Sequence, residues 1–548
     1  MKVRINGQVF EYETPKRIIE MFSNDSYEYM AAKVNNRLRE LDYVVTEDAD
    51  IELLKIDNSS VTRIYQATLR YVVAMAAKNL FPKARISFNY SVSRSIFATL
   101  SSFGRSFSAD DLALIEEEVA RIVKADMHIS RRTLTKDEAI AYYKEIGWKD
   151  KVKIIKYRPE NTVHIYECGD YKNYMYGYML PSTGYLKVYK LRLYSPGFLI
   201  TYPRCETKGM IPEFKDEKVF RAQLKEANIW SNISKTGYIS QMNEIIEGGN
   251  ALEFINICET RHNRQLAELG QAIYSNKENI KLICVAGPSS SGKTTFTNRL
   301  RIELKCRGIE PLMISMDNFY LPVEKAPKDE FGNPDLEHIN ALDLELFDKC
   351  IFRLIQGEEV ELPIYNFTEK KREFTAPIKL LNGQPILIEG IHGLNDMVCP
   401  SIPVENKFKI FIAPLAQYNI DDHTPISISD IRLIRRMVRD FNFRGTGCEK
   451  TLATWQSVRN GEFKWIYPYQ NNADFVFNSE LSYELCVMKK HALHLLEEID
   501  SKSPYFIDAN RLLKFLKYFE TINDKWVPCN SILREFIGDS IFYTEDKR

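Results

Sequence analysis

A glycine-rich segment between an apolar run and a helical stretch carries the clearest chemical signal in the sequence. Residues 281–286 predict a buried strand, and Gly287-Pro-Ser-Ser-Ser-Gly-Lys-Thr294 follows directly. The glycines let successive backbone N–H groups point at phosphate oxygens, and the next helix adds its positive N-terminal end. Lys293 is expected to reach the β- and γ-phosphates, while the Thr294 hydroxyl binds Mg²⁺. The expected nucleotide contacts are Gly287, Pro288, Ser289, Ser290, Ser291, Gly292, Lys293, Thr294 and Thr295.

Two later strand-like runs each lead into an acidic residue. Asp317 follows the run over 310–315, and Glu389 closes the run over 385–389. In an open parallel sheet, ligands bind beyond the carboxyl ends of the strands. There Asp317 can take the proton of an attacking hydroxyl, and Glu389 can be a second Mg²⁺ ligand beside Thr294. The alternatives are a capping residue on a surface turn for Asp317 and a simple strand-end charge for Glu389.

Four arginines share one face of a helix predicted over 430–440. They are Arg432, Arg435, Arg436 and Arg439. Unpaired arginines on one stripe would repel one another unless they met an anionic surface. The pattern predicts a mobile lid that closes these arginines over a transferring phosphate, with Arg444 at the end of the helix. The alternative is a solvated helix that is ion-paired to Asp430 and Asp440.

Composition narrows the classes of protein that need to be considered. The 548 residues hold 74 Lys+Arg and 74 Asp+Glu, so a nucleic-acid coat or a polybasic membrane anchor is excluded for the chain as a whole. The ten cysteines include no Cys-x-x-Cys pair, which excludes a zinc ribbon and a dithiol redox motif. No apolar run approaches the ~20 residues that cross a bilayer, and the first residues lack a signal-peptide core. We expect a multidomain cytoplasmic protein.

The first sixty residues predict a β-grasp module. Asn6-Gly7 between apolar residues is a hairpin signal, a short helix is expected over 16–21, and short strands follow. Ala31-x-Lys33-Val34-Asn35 and Asp48-x-Asp50-Ile51-Glu52 resemble a TGS domain. The alternative is a ubiquitin-like adaptor without chemistry.

Residues 61–205 alternate helix and strand. Helices are expected over 63–80, over 110–125 with Ser108 as N-cap, and over 135–146. This region resembles the second additional domain of threonyl-tRNA synthetase. The matching stretches are Lys78-x-Leu80-Phe81-Pro82, Phe107-Ser-Ala-Asp-Asp111 with Ile115-Glu116, and Pro181-Ser-Thr-Gly184 with Lys190-Leu191.

That resemblance implies an editing site built from two histidines on one helix plus a cysteine and a histidine on a later segment. The corresponding positions here hold Ala67, Tyr71, Met175 and Met179. None of these side chains can perform the family's polar chemistry. We therefore expect an editing fold whose active site has been lost.

The C-terminal half resembles the uridine kinase/phosphoribulokinase group of phosphate-loop kinases. The residues that carry the resemblance are Gly287-Pro-Ser-Ser-Ser-Gly-Lys-Thr-Thr295, Ser315-Met-Asp-Asn-Phe-Tyr320, Pro363-Ile-Tyr-Asn-Phe367, Ile388-Glu-Gly-Ile391 and Arg435-Arg436-x-x-Arg439-Asp440. It implies an α/β multidomain protein in which helices flank the parallel sheet of the kinase domain. The expected units are the TGS-like module over 1–60, the synthetase-like domain over 61–205, a helical connector over 206–279, the kinase domain over 280–480 and a helical extension over 481–548.

The kinase resemblance also implies roles for individual residues. Asp317 matches the base for a ribose 5′-hydroxyl, Arg436 and Arg439 match catalytic lid arginines, and Arg444 matches a lid arginine at the nucleotide. The implied substrate contacts are Tyr320, Glu337, Tyr365 and Lys370. Three positions depart from the family's pattern: Lys370 stands near where the family has a base-reading histidine, Thr446 where a second lid arginine is common, and Thr454 where a base-contacting glutamine lies. The preferred nucleobase therefore does not follow from the resemblance.

These features together predict a nucleoside kinase of nucleoside salvage, with ATP or GTP as donor, Mg²⁺ as cofactor, and uridine or cytidine as the first guess for the acceptor. One alternative is a kinase for another small alcohol, such as a sugar phosphate or pantothenate. Another is an RNA-binding regulatory NTPase. RNA contact through residues 1–205 and homo-oligomer formation stay open, and no membrane partner is expected.

Overall fold

The first strands of the chain form a small mixed sheet. In the computed structural model, residues 1–23, 26–216, 218–328, 332, 334–366 and 371–543 are described. The strands are β1 (Lys2–Ile5), β2 (Gln8–Glu11), β3 (Lys16–Arg17), β4 (Ala31–Val34), β5 (Arg37–Arg39), β6 (Val44–Val45) and β7 (Ala49–Leu54). Five of them pair in the order β2-β1-β7-β4-β5, and β3 pairs with β6. Asn6 and Gly7 both have positive φ, which gives the tight predicted hairpin between β1 and β2.

The prediction of a short helix over 16–21 is wrong. This segment contains β3 and a single 3₁₀ turn, Ile18–Glu20. One turn is too short to stabilise an α-helix on its own. The Glu20 carboxylate instead accepts a hydrogen bond from the Arg17 N–H at 3.3 Å, which fixes the turn.

The next region is built around one long buried helix. Its elements are α1 (Ser59–Leu80), β8 (Arg85–Val92), β9 (Ser95–Ser101), α2 (Ala109–Lys124), β10 (Ser130–Thr135), α3 (Lys136–Glu145), α4 (Lys149–Lys156), β11 (Thr162–Cys168), β12 (Tyr171–Tyr174), β13 (Lys190–Tyr194) and β14 (Gly197–Thr201). Two antiparallel sheets form, β10-β11-β12 and β13-β14-β9-β8. Ser108 is the predicted N-cap of α2, and it forms a reciprocal cap with Asp111. Residues of α1 share one hydrophobic core with β1, β4 and β7.

Three helices connect this region to the C-terminal half: α5 (Lys218–Ile233), α6 (Ile239–Glu247) and α7 (Ala251–Tyr274). The following elements are β15 (Leu282–Ala286), α8 (Lys293–Cys306), β16 (Leu312–Ser315), α9 (Leu344–Ile355), β17 (Pro363–Asn366), β18 (Lys371–Phe374), β19 (Ile386–Glu389), β20 (Lys407–Ala413), β21 (Asn419–Asp421), β22 (Thr424–Pro425), α10 (Ile428–Arg444), α11 (Cys448–Trp465), β23 (Phe475–Asn478), α12 (Glu484–Glu497), α13 (Phe506–Leu516) and α14 (Arg534–Ile537).

A five-stranded parallel sheet forms the centre of this half, in the order β16-β19-β15-β20-β23. Leu282 and Cys284 of β15 share a core with residues of α9, whereas Ile283 and Val285 share the opposite core with residues of α7 and α8. Burial of alternate residues on both faces is the mark of a parallel sheet between two helix layers. The predicted α/β class is confirmed. Among the described residues, no helix is long and apolar enough to span a membrane.

The hairpin formed by β21 and β22 joins the two halves of the chain. The Lys151 ammonium and the Asp421 carboxylate lie 2.9 Å apart and are both fully buried. The Phe88 N–H donates to the Asp422 carbonyl at 2.8 Å, and the Asn419 amide donates to the Phe88 carbonyl at 2.8 Å. Because this hairpin leads directly into α10, the synthetase-like region holds the entry to the arginine-bearing helix.

Candidate active site

The glycine-rich loop lies where β15 ends and α8 begins, as its sequence predicts. A Cβ at position 287 would collide with the carbonyl oxygen of Ile412, so only glycine allows β20 to approach this closely. Gly292 adopts φ +89° and caps α8, which turns the chain sharply into the helix. The N-terminal end of α8 therefore faces the loop, the arrangement that binds phosphate groups.

Lys293 and Thr294 stand on the first turn of α8. The Lys293 ammonium donates to the carbonyls of Gly287 and Pro288 at 3.0 and 3.2 Å. Burial lowers the pKa of Lys293, against the opposing charges of Glu389 and Asp317. The ammonium thus rests across the mouth of the loop, beside two carboxylates, where an incoming phosphate would meet it.

Thr294 and Glu389 come together at the carboxyl edge of the sheet. The Thr294 hydroxyl donates to Glu389 Oε1 at 3.1 Å. Burial raises the pKa of Glu389 to about 7, although Lys293 opposes the shift. Hard oxygen ligands, one carboxylate plus substrate phosphates and water, are what Mg²⁺ usually takes in kinase sites. These two residues fit the predicted cation.

Asp317 lies on the 3₁₀ turn Met316–Phe319, directly after β16. Since β16 pairs with β19, Asp317 and Glu389 reach the same edge of the sheet. The Asp317 side chain keeps contact with solvent, although protein atoms crowd around its carboxylate. This crowding raises the pKa of Asp317, against the lowering effect of Lys293, Arg444 and Arg439. The carboxylate thus faces several cationic groups across the cleft.

Helix α10 presents part of its arginine face to this cleft. Arg436 donates to the Ser289 hydroxyl of the loop at 2.9 Å. Arg439 and Asp440 form an ion pair of 2.7 Å, and Arg444 lies 3.7 Å from the same carboxylate. Asp440 thus gathers the arginines at the C-terminal end of α10, close enough for Arg439 and Arg444 to act on Asp317.

The expectation that all four arginines are unpaired and face a phosphate is wrong for Arg432 and Arg435. Both are 1% exposed. Arg432 is ion-paired to Glu462 and also donates to the Ser289 carbonyl at 2.9 Å. Arg435 is ion-paired to Glu484 and donates to the carbonyls of Ser290 and Ser291 at 3.5 and 3.4 Å. These two arginines fix the loop through its backbone carbonyls. That the helix moves as a lid stays a prediction, now confined to its C-terminal turn.

The alternative, a solvated helix ion-paired to Asp430 and Asp440, is correct for Asp440 and wrong for Asp430. Asp440 does pair with Arg436, Arg439 and Arg444. Asp430 instead pairs with Arg511 of α13 at 2.6 Å. Sequence reasoning missed Glu462 and Glu484 because nothing local marks them as partners of α10. The sequence could have indicated them only as acidic residues on later helices, available to face the basic stripe of α10.

Glu337 forms the acceptor side of the cleft with Tyr320. A Cβ at Gly461 would collide with the Glu337 side chain, so the glycine in α11 makes room for it. Burial raises the pKa of Glu337 to about 7, with a further push from Glu462 and an opposing effect of Arg436. The Tyr320 hydroxyl donates to the Leu336 carbonyl at 3.3 Å. The Tyr365 side chain and Lys370 lie outside the described residues.

The positions of the expected lost editing site lie inside a packed core. The exposed fractions of Ala67, Tyr71, Met175 and Met179 are 3%, 0%, 2% and 2%. The Tyr71 hydroxyl lies 3.1 and 2.9 Å from the carbonyl oxygens of Tyr166 and Tyr171. These four side chains are therefore closed off from a substrate, and burial raises the pKa of the Tyr71 phenol well above its ordinary value.

Comparison with known proteins supports the two-part reading of the chain. Residues 282–482 match the model of the phosphoribulokinase / uridine kinase family. The threonine–tRNA ligase of Legionella pneumophila (strain Philadelphia 1) is 32% identical over 191 residues, which are 34% of this chain and 30% of that protein. The corresponding ligase of Syntrophomonas wolfei is 33% identical over 163 residues, 30% of this chain and 26% of that protein. The chain thus spans under a third of the length of these curated relatives.

Two of the solved structures that are similar to part of this chain are kinases by their descriptions. One is a putative fructose transport system kinase from Silicibacter sp. TM1040, with 19% identity, coverage of 38% of this chain and 98% of that chain, and a TM-score of 0.28. The other is described as a possible uridine kinase from Bacillus stearothermophilus, with 20% identity, coverage of 39% and 98%, and a TM-score of 0.26.

Residues 282–482 thus match a phosphate-loop kinase family, and the N-terminal region of the chain is similar to threonine–tRNA ligases. A domain of this family supports phosphotransfer and implies the use of ATP and Mg²⁺ in general.

Proposed function

We propose that the protein transfers the γ-phosphate of ATP or GTP to the 5′-hydroxyl of a nucleoside. The observation that carries this proposal is the position of Asp317, which directly follows β16 and lies within electrostatic range of Lys293, Arg439 and Arg444. A base beside several cationic groups suits the attack of a neutral hydroxyl on a phosphate. An NTPase that only positions water has less need of a base there.

In the proposed reaction, Asp317 accepts the proton of the nucleoside hydroxyl while the hydroxyl oxygen bonds to the γ-phosphorus. The bond from phosphorus to the bridging oxygen of the donor breaks, and the nucleoside diphosphate leaves with that electron pair. Lys293 and the arginines of α10 stabilise the negative charge on the transferring group. Mg²⁺ held by Thr294 and Glu389 would supply further positive charge to the phosphates.

Glu337 and Tyr320 support a ribose-bearing acceptor. A carboxylate can accept hydrogen bonds from two adjacent hydroxyls, which a ribose presents and a simple alcohol does not. Glu337 lies near Arg436 and therefore close to the loop that would hold the donor. The nucleobase stays open because Lys370 and the Tyr365 side chain lie outside the described residues.

A panel of nucleosides with ATP and GTP tests this proposal. Each of uridine, cytidine, adenosine and guanosine is incubated with Mg²⁺ and donor, and formation of the 5′-monophosphate is followed by chromatography. We expect turnover of at least one nucleoside and none with Lys293→Ala. Turnover of pantothenate or a sugar phosphate alone would favour the small-alcohol alternative. Hydrolysis of the donor that RNA stimulates, with no acceptor turnover, would favour the regulatory NTPase.

A further inference from the structure

The C-terminal segment over 531–543 packs directly against the phosphate-binding loop. Ile532, Leu533 and Phe536 are fully buried, which anchors the start of this segment in the core. The Ile532 side chain fills the space in which a Cβ at Gly292 would lie. The Asn442 amide of α10 donates to the Phe536 carbonyl at 3.0 Å, so the segment contacts both the loop and the arginine-bearing helix.

Two side chains of this segment reach Thr295. The Thr295 N–H donates to Glu535 Oε2 at 2.9 Å, and the Tyr543 hydroxyl lies 3.3 Å from Thr295 Oγ1. Thr295 is completely buried as a result. Glu535 also lies close enough to Lys293 and Glu389 to act on both electrostatically. A carboxylate of the chain itself therefore occupies a donor of the phosphate-binding turn.

The same N–H cannot serve a carboxylate and a phosphate at once. The first turn of a helix that follows such a loop offers its free N–H groups to phosphate oxygens. A carboxylate on that turn is favourable while no phosphate is bound, because it meets the positive end of the helix. Once a polyphosphate enters, the carboxylate would lose its donor and face like charge at short range.

We propose that the C-terminal segment is an internal competitor of the donor nucleotide, with Glu535 as the group that must leave the Thr295 N–H before the phosphates bind. This inference rests on the proposed function, since it assumes that the loop receives a nucleoside triphosphate. The chain holds its own loop in a low-affinity state, and whatever draws the segment away raises donor affinity.

The structure shows how the segment can release the loop without unfolding. Glu535 is only partly buried, so its side chain can turn away while Ile532 and Phe536 stay in the core. Gly538 has φ +96°, a conformation that glycine adopts readily, and the Asp539 and Ile541 side chains beyond it are well exposed. Tyr543 can therefore leave Thr295 by a change of backbone angles near Gly538.

Calorimetric titration of the full chain with Mg·ATP tests the competition. Glu535→Ala removes the charge and the acceptor, Glu535→Gln removes only the charge, and Asp539→Asn is a matched control that changes an exposed carboxylate of the same segment. We expect the dissociation constant for Mg·ATP to fall about tenfold in Glu535→Ala, since removing a competitor raises the fraction of binding-competent protein. Glu535→Gln should fall between Glu535→Ala and the wild type, and Asp539→Asn should match the wild type.

Unchanged or weaker ATP binding in Glu535→Ala, with a wild-type melting curve, would overturn the inference and leave the proposed function standing. No ATP binding by the wild type or by any variant would overturn the proposed function, and this inference with it. Amide hydrogen exchange is a second measurement. Exchange over 531–543 should increase when Mg·ATP binds to the wild type, and a decrease there would also contradict the inference.

Discussion

The kinase cleft and the core at Ala67, Tyr71, Met175 and Met179 have opposite contents. The cleft keeps Asp317, Lys293 and Glu389 close together, and the pKa of each is shifted by burial and by its neighbours. The four residues of the core at Tyr71 are buried side chains without a charge. The kinase cleft therefore keeps buried charges despite their cost, whereas the four positions of the core at Tyr71 carry no charge.

This difference has an energetic basis. A buried polar group without a partner costs roughly 1–3 kcal/mol, and a charge costs more. Uncharged side chains such as Met and Ala fill a packed core without that cost. Charged groups with shifted pKa values therefore distinguish the kinase cleft from the apolar packing around Tyr71.

The largest expected effect comes from Lys293→Ala, which should abolish phosphoryl transfer in a folded protein. The ammonium bridges the mouth of the loop and meets two carboxylates there, so its loss leaves the donor phosphates without their nearest cation. Single-turnover assays with a circular dichroism melt measure both properties. Lys325→Ala, at an exposed lysine outside the cleft, is the control. Normal turnover by Lys293→Ala would remove the kinase interpretation.

Asp317→Asn should lower kcat by about 10²–10⁴-fold, the usual cost of losing a general base. Mg·ATP should still bind, because Lys293, Thr294 and the loop are intact. The nucleoside KM should change little, since the interaction is made mainly in the transition state. Steady-state kinetics with a separate ATP titration measures this, and Glu324→Gln, at an exposed acid in the next turn, is the control. Near-wild-type kcat would contradict the assignment of Asp317 as the base.

Glu337→Gln should act on binding before it acts on chemistry. The lost charged hydrogen bonds are expected to raise the nucleoside KM by about tenfold or more, with a smaller change in kcat. A 2′-deoxynucleoside, which lacks one of the two hydroxyls, should bind the wild type more weakly and lose less in the variant. Equal loss for ribo- and deoxyribonucleosides would show that Glu337 does not contact the ribose.

The raised pKa of Glu337 predicts that the nucleoside KM depends on pH. Burial raises the pKa of Glu337 to about 7, so the carboxyl is mostly protonated at about pH 6 and mostly ionised at about pH 8. Because the ionised form is the better acceptor, the wild-type nucleoside KM should fall by up to about tenfold as the pH rises across this range. In Glu337→Gln the same KM should stay flat. A KM that rises with pH in the wild type would reverse the proposed role.

Local patterns made much of this site predictable. The loop over 287–295, Asp317 and Glu389 each follow a strand directly, so their placement depends on short-range sequence and on the general rule for parallel sheets. The arginine face was predicted only in part, because Arg432 and Arg435 pair with Glu462 and Glu484 on later helices. Which charges become buried partners is decided by tertiary packing.

The contact between Glu535 and Thr295 could not be predicted at all, since 240 positions separate them. No periodicity or motif relates the tail to the loop, although Ser531-Ile-Leu-Arg-Glu-Phe-Ile-Gly538 resembles the tail of long bacterial-type nucleoside kinases. The short helix expected over 16–21 failed for the related reason that tertiary contacts selected a strand and one 3₁₀ turn there. Sequence patterns give elements and their ends, while long-range pairing must come from the structure.

The smallest expected effect concerns the packed core around Tyr71. Tyr71→Phe removes a buried hydroxyl that lies within hydrogen-bond distance of two carbonyl oxygens, so the free energy of unfolding should fall by about 1 kcal/mol. Kinase kcat and KM should not change, and neither wild type nor variant should deacylate mischarged tRNA, because the four positions of the expected editing site lack a base. Chemical denaturation, the nucleoside assay and a deacylation assay on the full chain measure these three quantities. Deacylation by the wild type that Tyr71→Phe abolishes would mean that chemistry survives in the packed core, and the contrast between the two regions would no longer hold.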